Sequence, residues 1–324
     1  MLALIIAFGL DLVLGDPIYQ WHPVRVLGRL IQKTESWLRK NVGEGRFSGL
    51  LLALFIPSFT FVAVGLLCEL AFQIHPFLKS ILTVYFLFSA IAVKDLIQEG
   101  RKIYAYLTKD QLDQARKSLS RIVGRDTDDL SEAEVIRGAV EALAESFVDG
   151  ILSPLFFAAI GGAPFAMTYK AINTLDSMVG HRTPQYRQFG FVSAKLDELV
   201  NWIPARVSWL VIGIGAFFAN ERGMEAWRIG FEKGAAKTSN SNSVVPEAAF
   251  AGALGIQLGG TNYYQKCKVE TPKVGYPMRS LEKDDIRRAY HLVRVCAWVA
   301  LGFALLIYCI FWYLSVNIVD PIAL

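Results

Sequence analysis

"SGLLLALFIPSFTFVAVGLLCELAFQIHPFLKSILTVYFLFSAIAV", residues 48–93, decides the fold. Residues 48–72 carry one charge, Glu69, near their end. Residues 77–93 carry only Lys79, placed where a long amine can snorkel to a membrane surface. A helix needs about 20 apolar residues to cross a bilayer core, so both halves read as spans. The short connection Gln73–Pro76 makes them a tight hairpin. "VCAWVALGFALLIYCIFWYL" (295–314) carries no charge and reads as a third span.

Three further apolar runs are interrupted. Asp11 breaks 1–14, Pro154 and Gly161-Gly162-Ala163-Pro164 break 151–168, and Pro204 and Arg206 open 202–219. Such breaks survive in a membrane only where other protein re-satisfies the freed backbone. Each run is therefore a full span, a re-entrant helix or a core helix. The expected fold is an all-α integral membrane protein with about four to six transmembrane or re-entrant helices. Polar helical segments 94–150 and 220–293 pack against them within a single domain, 1–324. In 94–150, the stretch ending at Gly124 has helical periodicity, and Ser131 with Glu134 forms a capping box. No alternation marks a strand, and no repeat or linker appears.

The composition agrees. The chain is 53% hydrophobic and 19% charged, against about a quarter charged in soluble domains. The net charge of +4 is dispersed, and without a basic, aromatic-laced stripe a nucleic-acid partner is not expected. Cys68, Cys267, Cys296 and Cys309 form no C-x-x-C pair and read as buried free thiols. The histidines lack zinc-ligand spacing. "MLALIIAFGLDLVLGDP" has no basic n-region or small-residue cleavage site and reads as a retained helix. Lys and Arg number six in 15–47, nine in 94–150 and eleven in 220–293, with none in 73–76 or after 314. That bias places the three long polar segments in the cytoplasm and the tail outside. Segment 169–201 is external if its flanking runs both span and internal if both are re-entrant.

Polar residues gather in four places. In "GRDTDDLSEAEVIRGAVEALAESFVDG", Arg137, Glu141 and Glu145 step by four, Asp149 continues the line, and Arg125, Asp126, Thr127, Asp128 and Asp129 lie upstream. These make either a solvated helix face or a carboxylate site for a hard cation such as Mg²⁺. In "YKAINTLDSMVGHR", Lys170, Asn173 and Asp176 share a helix side directly after an apolar run. Polar groups at membrane depth are costly unless partnered, and read as functional. In "AKLDELVNWIPARVSW", Asp197 and Asn201 pair at i,i+4 beside Glu198, ahead of Trp202 and Arg206. In "HPVRVLGR", His22, Arg25 and Arg29 follow Asp16, and the arginines suit phosphate or a lipid headgroup. "GFEKGAAKTSNSNS" (230–243) imitates a phosphate-binding loop, but Ala236 stands where glycine is required and no apolar helix follows.

Together "GDP", "HPVR", "RDT", "EALAES", "SPLFFAAIGG", "YKAINTLDSMVGHR", "SAKLDELVNWIPAR" and "PEAAFAGALGIQLGG" resemble, in this order, the CbiB/CobD family of cobalamin biosynthesis, from about residue 9 to about residue 310. The resemblance implies an adenosylcobinamide-phosphate synthase of the cytoplasmic membrane with its site facing the cytoplasm. It would join adenosylcobyric acid to 1-aminopropan-2-ol phosphate, or to the free amino alcohol, using ATP and Mg²⁺. Other membrane enzymes of that pathway are its implied protein partners. The residues then take expected roles: Asp126, Asp128, Glu141, Glu145 and Asp149 for metal; Arg125, Asp126, Thr127, Arg137, Asn173 and Arg206 for nucleotide; Glu141, Glu145, Lys170, Asp176 and Asp197 for catalysis; His22, Arg25, Asn201 and Asn242 for substrate.

The chain departs from the family pattern at Ser146, Glu198, His181-Arg182 and Asn240-Ser241-Asn242, with Val244 at a glycine position. That leaves a relative with a different acid or amine as one rival. A transporter or regulator on the same scaffold is the other, although transporters commonly show paired repeats.

Overall fold

Length and apolar composition carry over directly into helices. A computed structural model of the protein describes residues 1–17, 19–181, 183–235 and 242–319. In chain order come α1 (Leu2–Leu14), α2 (Pro23–Asn41), α3 (Arg46–Ile74), α4 (Pro76–Ala90), α5 (Val93–Leu107), α6 (Leu112–Leu119) and α7 (Glu132–Phe147). A π-helical turn (Val148–Leu152) leads into α8 (Ser153–Val179), α9 (Phe191–Val200), α10 (Trp202–Phe218), α11 (Gly223–Ala235) and α12 (Val244–Leu254). Strands β1 (Leu258–Tyr264) and β2 (Cys267–Val274) precede α13 (Asp284–Val319).

Four helical runs are long and apolar enough to cross a membrane: Arg46–Ile74, Pro76–Leu107, Glu132–Val179 and Asp284–Ser315. They contain the expected spans 48–72, 77–93 and 295–314 and the interrupted run 151–168. α9 and α10, bent by 43°, make a fifth if counted as one. α1, with 13 residues, is shorter than a bilayer core requires. The chain is a helical, multi-pass membrane protein.

The contacts group into two compact units. The first comprises Met1–Ala92, Ser153–Asn201 and residues from Leu301 onward. Here α3 packs on α4, α8 and α9, and α2 lies on α3 and α8. Pro76 starts α4 as a ready-made first helical residue, and His75 Nδ1 accepts from Phe77 N at 3.1 Å. Lys79 lies 3.6 Å from Glu69 and over the Phe72 ring, closing the α3–α4 hairpin. The expected break falls at Gly161 and Gly162, whose φ of +66° is open to glycine but strained for other residues.

The second unit comprises Val93–Leu152 and Trp202–Ala300. Its centre is α12, buried along most of its length and packed on α10, α11 and α7. Asp285, fully buried, accepts from Arg279 and Arg288, and both arginines also donate to the Leu254 carbonyl at the end of α12.

Two expectations need correction here. Segment 220–293 is not all helical, because β1 and β2 form an antiparallel hairpin with Thr261 opposite Glu270. Its pattern was illegible because β2 is largely exposed and β1 carries two glycines and few apolar side chains. The turn residues Gln265 and Lys266 both have positive φ, 51° and 63°, a conformation normally announced by Asn-Gly. The cysteines also divide: Cys68 and Cys296 are buried, whereas Cys267 and Cys309 are exposed.

Candidate active site

In the second unit the capping box sets the start of α7. The Ser131 hydroxyl accepts from Glu134 N at 3.4 Å, and the Glu134 carboxylate accepts from Ser131 N at 2.7 Å. Two turns on, Arg137 and Glu141 are buried rather than solvated. Arg125 Nη2 donates to Glu141 Oε2 at 2.6 Å, and Gly259 N donates to Glu141 Oε1 at 2.8 Å. Arg137 donates to the carbonyls of Gly259 and Thr261 and to Asn262 Oδ1, which Arg125 also reaches. Gly138 makes room for this crossing, since a Cβ there would lie 2.5 Å from Arg125 Nη2. The result is a buried charge network that fastens the hairpin to α7.

Asp126 extends the same fastening. Its N–H donates to Tyr263 O at 2.8 Å, while its carboxylate accepts from Gln265 N at 3.1 Å and Lys266 N at 2.7 Å. Both oxygens thus stabilise the unusual turn. Thr127 is buried beside it, and Asp128 is exposed.

One turn past Glu141, Glu145 is exposed, and Asp149 lies within the π-helical turn, a distortion often found at functional sites. Glu247 on α12 faces this region and was not singled out from the sequence. Burial, reinforced by the negative fields of Glu145 and Glu141, pushes its carboxyl well above the ordinary 4.5. The available signal was a lone acid inside the apolar run "VVPEAAFAGAL". Burial also raises the Tyr264 hydroxyl nearby. Among the described residues, no three His, Cys, Asp or Glu side chains assemble as a metal-ligand set. Elsewhere in this unit Arg206 lies over the Trp202 ring and donates to Trp202 O at 3.1 Å and Asn242 Oδ1 at 3.3 Å.

The first unit holds a second polar cluster. Asn201, buried, accepts from Ser153 Oγ at 2.7 Å and from the Tyr169 hydroxyl at 3.0 Å. Its amide donates to Asp197 Oδ2 at 3.1 Å, and Asn173 Nδ2 lies 3.5 Å from Asp197 Oδ1. The i,i+4 pair was legible; Ser153 and Tyr169 were not, because they come from another helix. Lys170 and Asp176 are half-buried on α8. His22 is buried with Nε2 2.7 Å from Asp16 Oδ1, and Arg25 is exposed. Glu145 belongs to the second unit and Asp176 to the first. Arg182, Asn240, Ser241 and the centre of the phosphate-loop imitation (236–241) lie outside the described residues.

Known proteins complete the picture. Residues 4–293 match the CobD/Cbib protein family. Over 312 residues the chain is 40% identical to cobalamin biosynthesis protein CobD of Clostridium perfringens, covering 96% of this chain and 98% of that one. It is 41% identical over 306 residues to cobalamin biosynthesis protein CbiB of Salmonella paratyphi B, covering 93% and 95%. No solved structure matches. With a family match over most of its length and such relatives along nearly all of it, this chain belongs to the CobD/CbiB family of cobalamin biosynthesis proteins.

Proposed function

We propose that this chain is an ATP-dependent amide synthase. It joins the free propionate carboxylate of adenosylcobyric acid to the amine of 1-aminopropan-2-ol phosphate, or of the free amino alcohol. The carboxylate attacks the γ-phosphorus of ATP and ADP leaves. The neutral amine then attacks the acyl phosphate, inorganic phosphate departs, and the amine proton passes to a base.

The observation that carries this reading is the carboxylate neighbourhood of Glu145 and Glu247, near arginines already committed to Glu141 and the hairpin. Mg²⁺ commonly takes one or two protein carboxylates and leaves its other positions to water and phosphates. Glu145 and Glu247 fit that requirement and would hold it. Bound there, Mg²⁺ would offset charge on the phosphoryl oxygens. Glu141 and Asp126 are better suited to building the site than to ligating metal, because their oxygens already accept from Arg125, Gly259, Gln265 and Lys266.

The polar cluster of the first unit is a separate candidate, in which Asp197, held in place by Asn201, is suited to accept a proton. Lys170, Asn173 and Asp176 orient the amine and its phosphate. His22, Arg25, Arg206 and Asn242 contact the corrinoid or nucleotide. The Lys/Arg excess in 94–150 and 220–293, the segments that hold Glu145 and Glu247, supports a site on the cytoplasmic side of the cytoplasmic membrane. A variant of the reading keeps the chemistry and changes the amine; the departure at Ser241 and Val244, where the family has proline and glycine, favours it.

The test is a mass-spectrometric assay on detergent-purified protein with adenosylcobyric acid and Mg·ATP. Aminopropanol phosphate, aminopropanol and ethanolamine phosphate run in parallel, with Glu247→Gln as control. An amide product that fades in the control supports the synthase and ranks its amines. Folded protein that makes no amide with any of them rejects it.

A further inference from the structure

The row Arg25, Arg29, Lys33, Trp37 steps by four along one side of α2, and all four side chains are exposed. The opposite side buries Leu27, Ile31 and Leu38, with α2 packed on α3 and α8. The acids near the end of this helix, Glu35 and Glu44, face Arg39. Arg25, Arg29 and Lys33 have no carboxylate partner among the described residues. Arg29 instead donates to the Gln20 carbonyl and lies 5.8 Å from the centre of the Trp21 ring, which fixes its guanidinium at the surface.

Beside Lys33 and Trp37 is a groove of about 460 Å³, lined by Lys33, Thr34, Trp37, Leu38, Leu51 and Phe55. Leu51 and Phe55 belong to α3, a membrane-crossing helix. Phe55 is exposed and stacks on the equally exposed Phe59 one turn on. The groove is thus continuous with a surface that faces lipid. Trp21 and Trp37, both exposed, stand at the two ends of the cationic row, as tryptophans do at membrane interfaces.

We propose that the α2–α3 groove seats an acyl chain of an anionic phospholipid whose phosphate lies against Arg29 and Lys33. The apolar span that forms one wall selects a chain as occupant, and the unpaired cations at its rim select a negative headgroup over a zwitterionic one. This assignment stands apart from the amide chemistry proposed above.

The experiment uses the full chain in nanodiscs of phosphatidylcholine containing a small fraction of brominated lipid, either phosphatidylglycerol or phosphatidylcholine. The Trp37 contribution is the difference in quenching between the unaltered protein and Trp37→Phe. Brominated phosphatidylglycerol should quench it at roughly tenfold lower mole fraction than brominated phosphatidylcholine, and the preference should vanish in Arg29→Gln/Lys33→Gln. Arg25 is left intact so that a candidate substrate residue is undisturbed. Thr34→Phe, which fills the groove, should weaken quenching by both lipids. Equal quenching by the two headgroups, or a preference that survives the double substitution, overturns the headgroup assignment. Quenching unchanged by Thr34→Phe overturns the chain's place in the groove.

Discussion

Arg125 and Glu141 form a buried ion pair, Nη2 to Oε2 2.6 Å, that the hairpin covers through Asn262 and Gly259. Removing one partner of a buried pair costs up to about 3–5 kcal/mol, and less where, as here, Arg137 Nε stays 3.9 Å from Glu141 Oε1. Arg125→Ala should therefore lower the melting temperature in detergent and raise hydrogen exchange across 258–274. Wild-type protection of the hairpin in that variant would show that the network does not hold it.

Asp126 permits a sharper test, since two roles predict opposite outcomes. If its carboxylate clamps the turn, Asp126→Ala loses activity and exposes the tip, and replacing Gln265-Lys266 by Asn-Gly restores both, because those residues adopt positive φ readily. If Asp126 ligates metal, the new turn restores protection without restoring activity. Exchange and product formation in the two backgrounds decide.

Glu247 gives a pH signature. Its folded carboxyl titrates well above 4.5, so above that value the folded state holds a proton that the unfolded chain has released. Stability should then fall as pH rises from 4.5 toward the folded value. Melting temperatures between pH 5 and 8 should fall more in the wild type than in Glu247→Gln. A steeper fall in the variant contradicts the burial argument.

Metal addition extends that experiment. A cation held by Glu145 and Glu247 favours their charged forms, so Mg²⁺ should recover the stability lost at pH 8 in the wild type and not in Glu247→Gln. Equal stabilisation of both proteins would send the Mg²⁺ elsewhere.

Asn201 tests the other unit. Asn201→Leu removes the acceptor of Ser153 and the donor to Asp197, a loss of about 1–3 kcal/mol for buried polar groups left unmade. Amide formation should fall further than Asn201→Ser allows. Unchanged turnover in both variants would make this cluster purely structural.

The legible parts of this chain are those that one helix decides alone. The spans 48–72 and 295–314, contained in Arg46–Ile74 and Asp284–Ser315, follow from apolar length, Ser131–Glu134 from a four-residue motif, and the break at Gly161-Gly162 from the glycines themselves. Asp197 and Asn201 pair because they are one turn apart. What escaped depends on distant chain. The oxygens of Asp126 are taken by backbone N–H groups of residues 265 and 266, and no local pattern records that. The hairpin is held by arginines from α7 and the preceding loop instead of an apolar face of its own, so it lacks the alternation by which strands are recognised. Glu247 carries meaning only once α12 is set against α7.

The hairpin fastening also has a timetable. Arg125 and Asn262 are separated by 137 residues, roughly 7–27 s of synthesis at ~5–20 residues per second. Ser153–Asn201, which belongs to the first unit, emerges within that interval. Arg125, Arg137 and Glu141 are therefore born long before the segment that completes their shelter. A nascent chain stalled before Gly259 would display a half-built polar cluster to any quality-control protease, and arrival of the hairpin is the event that hides it.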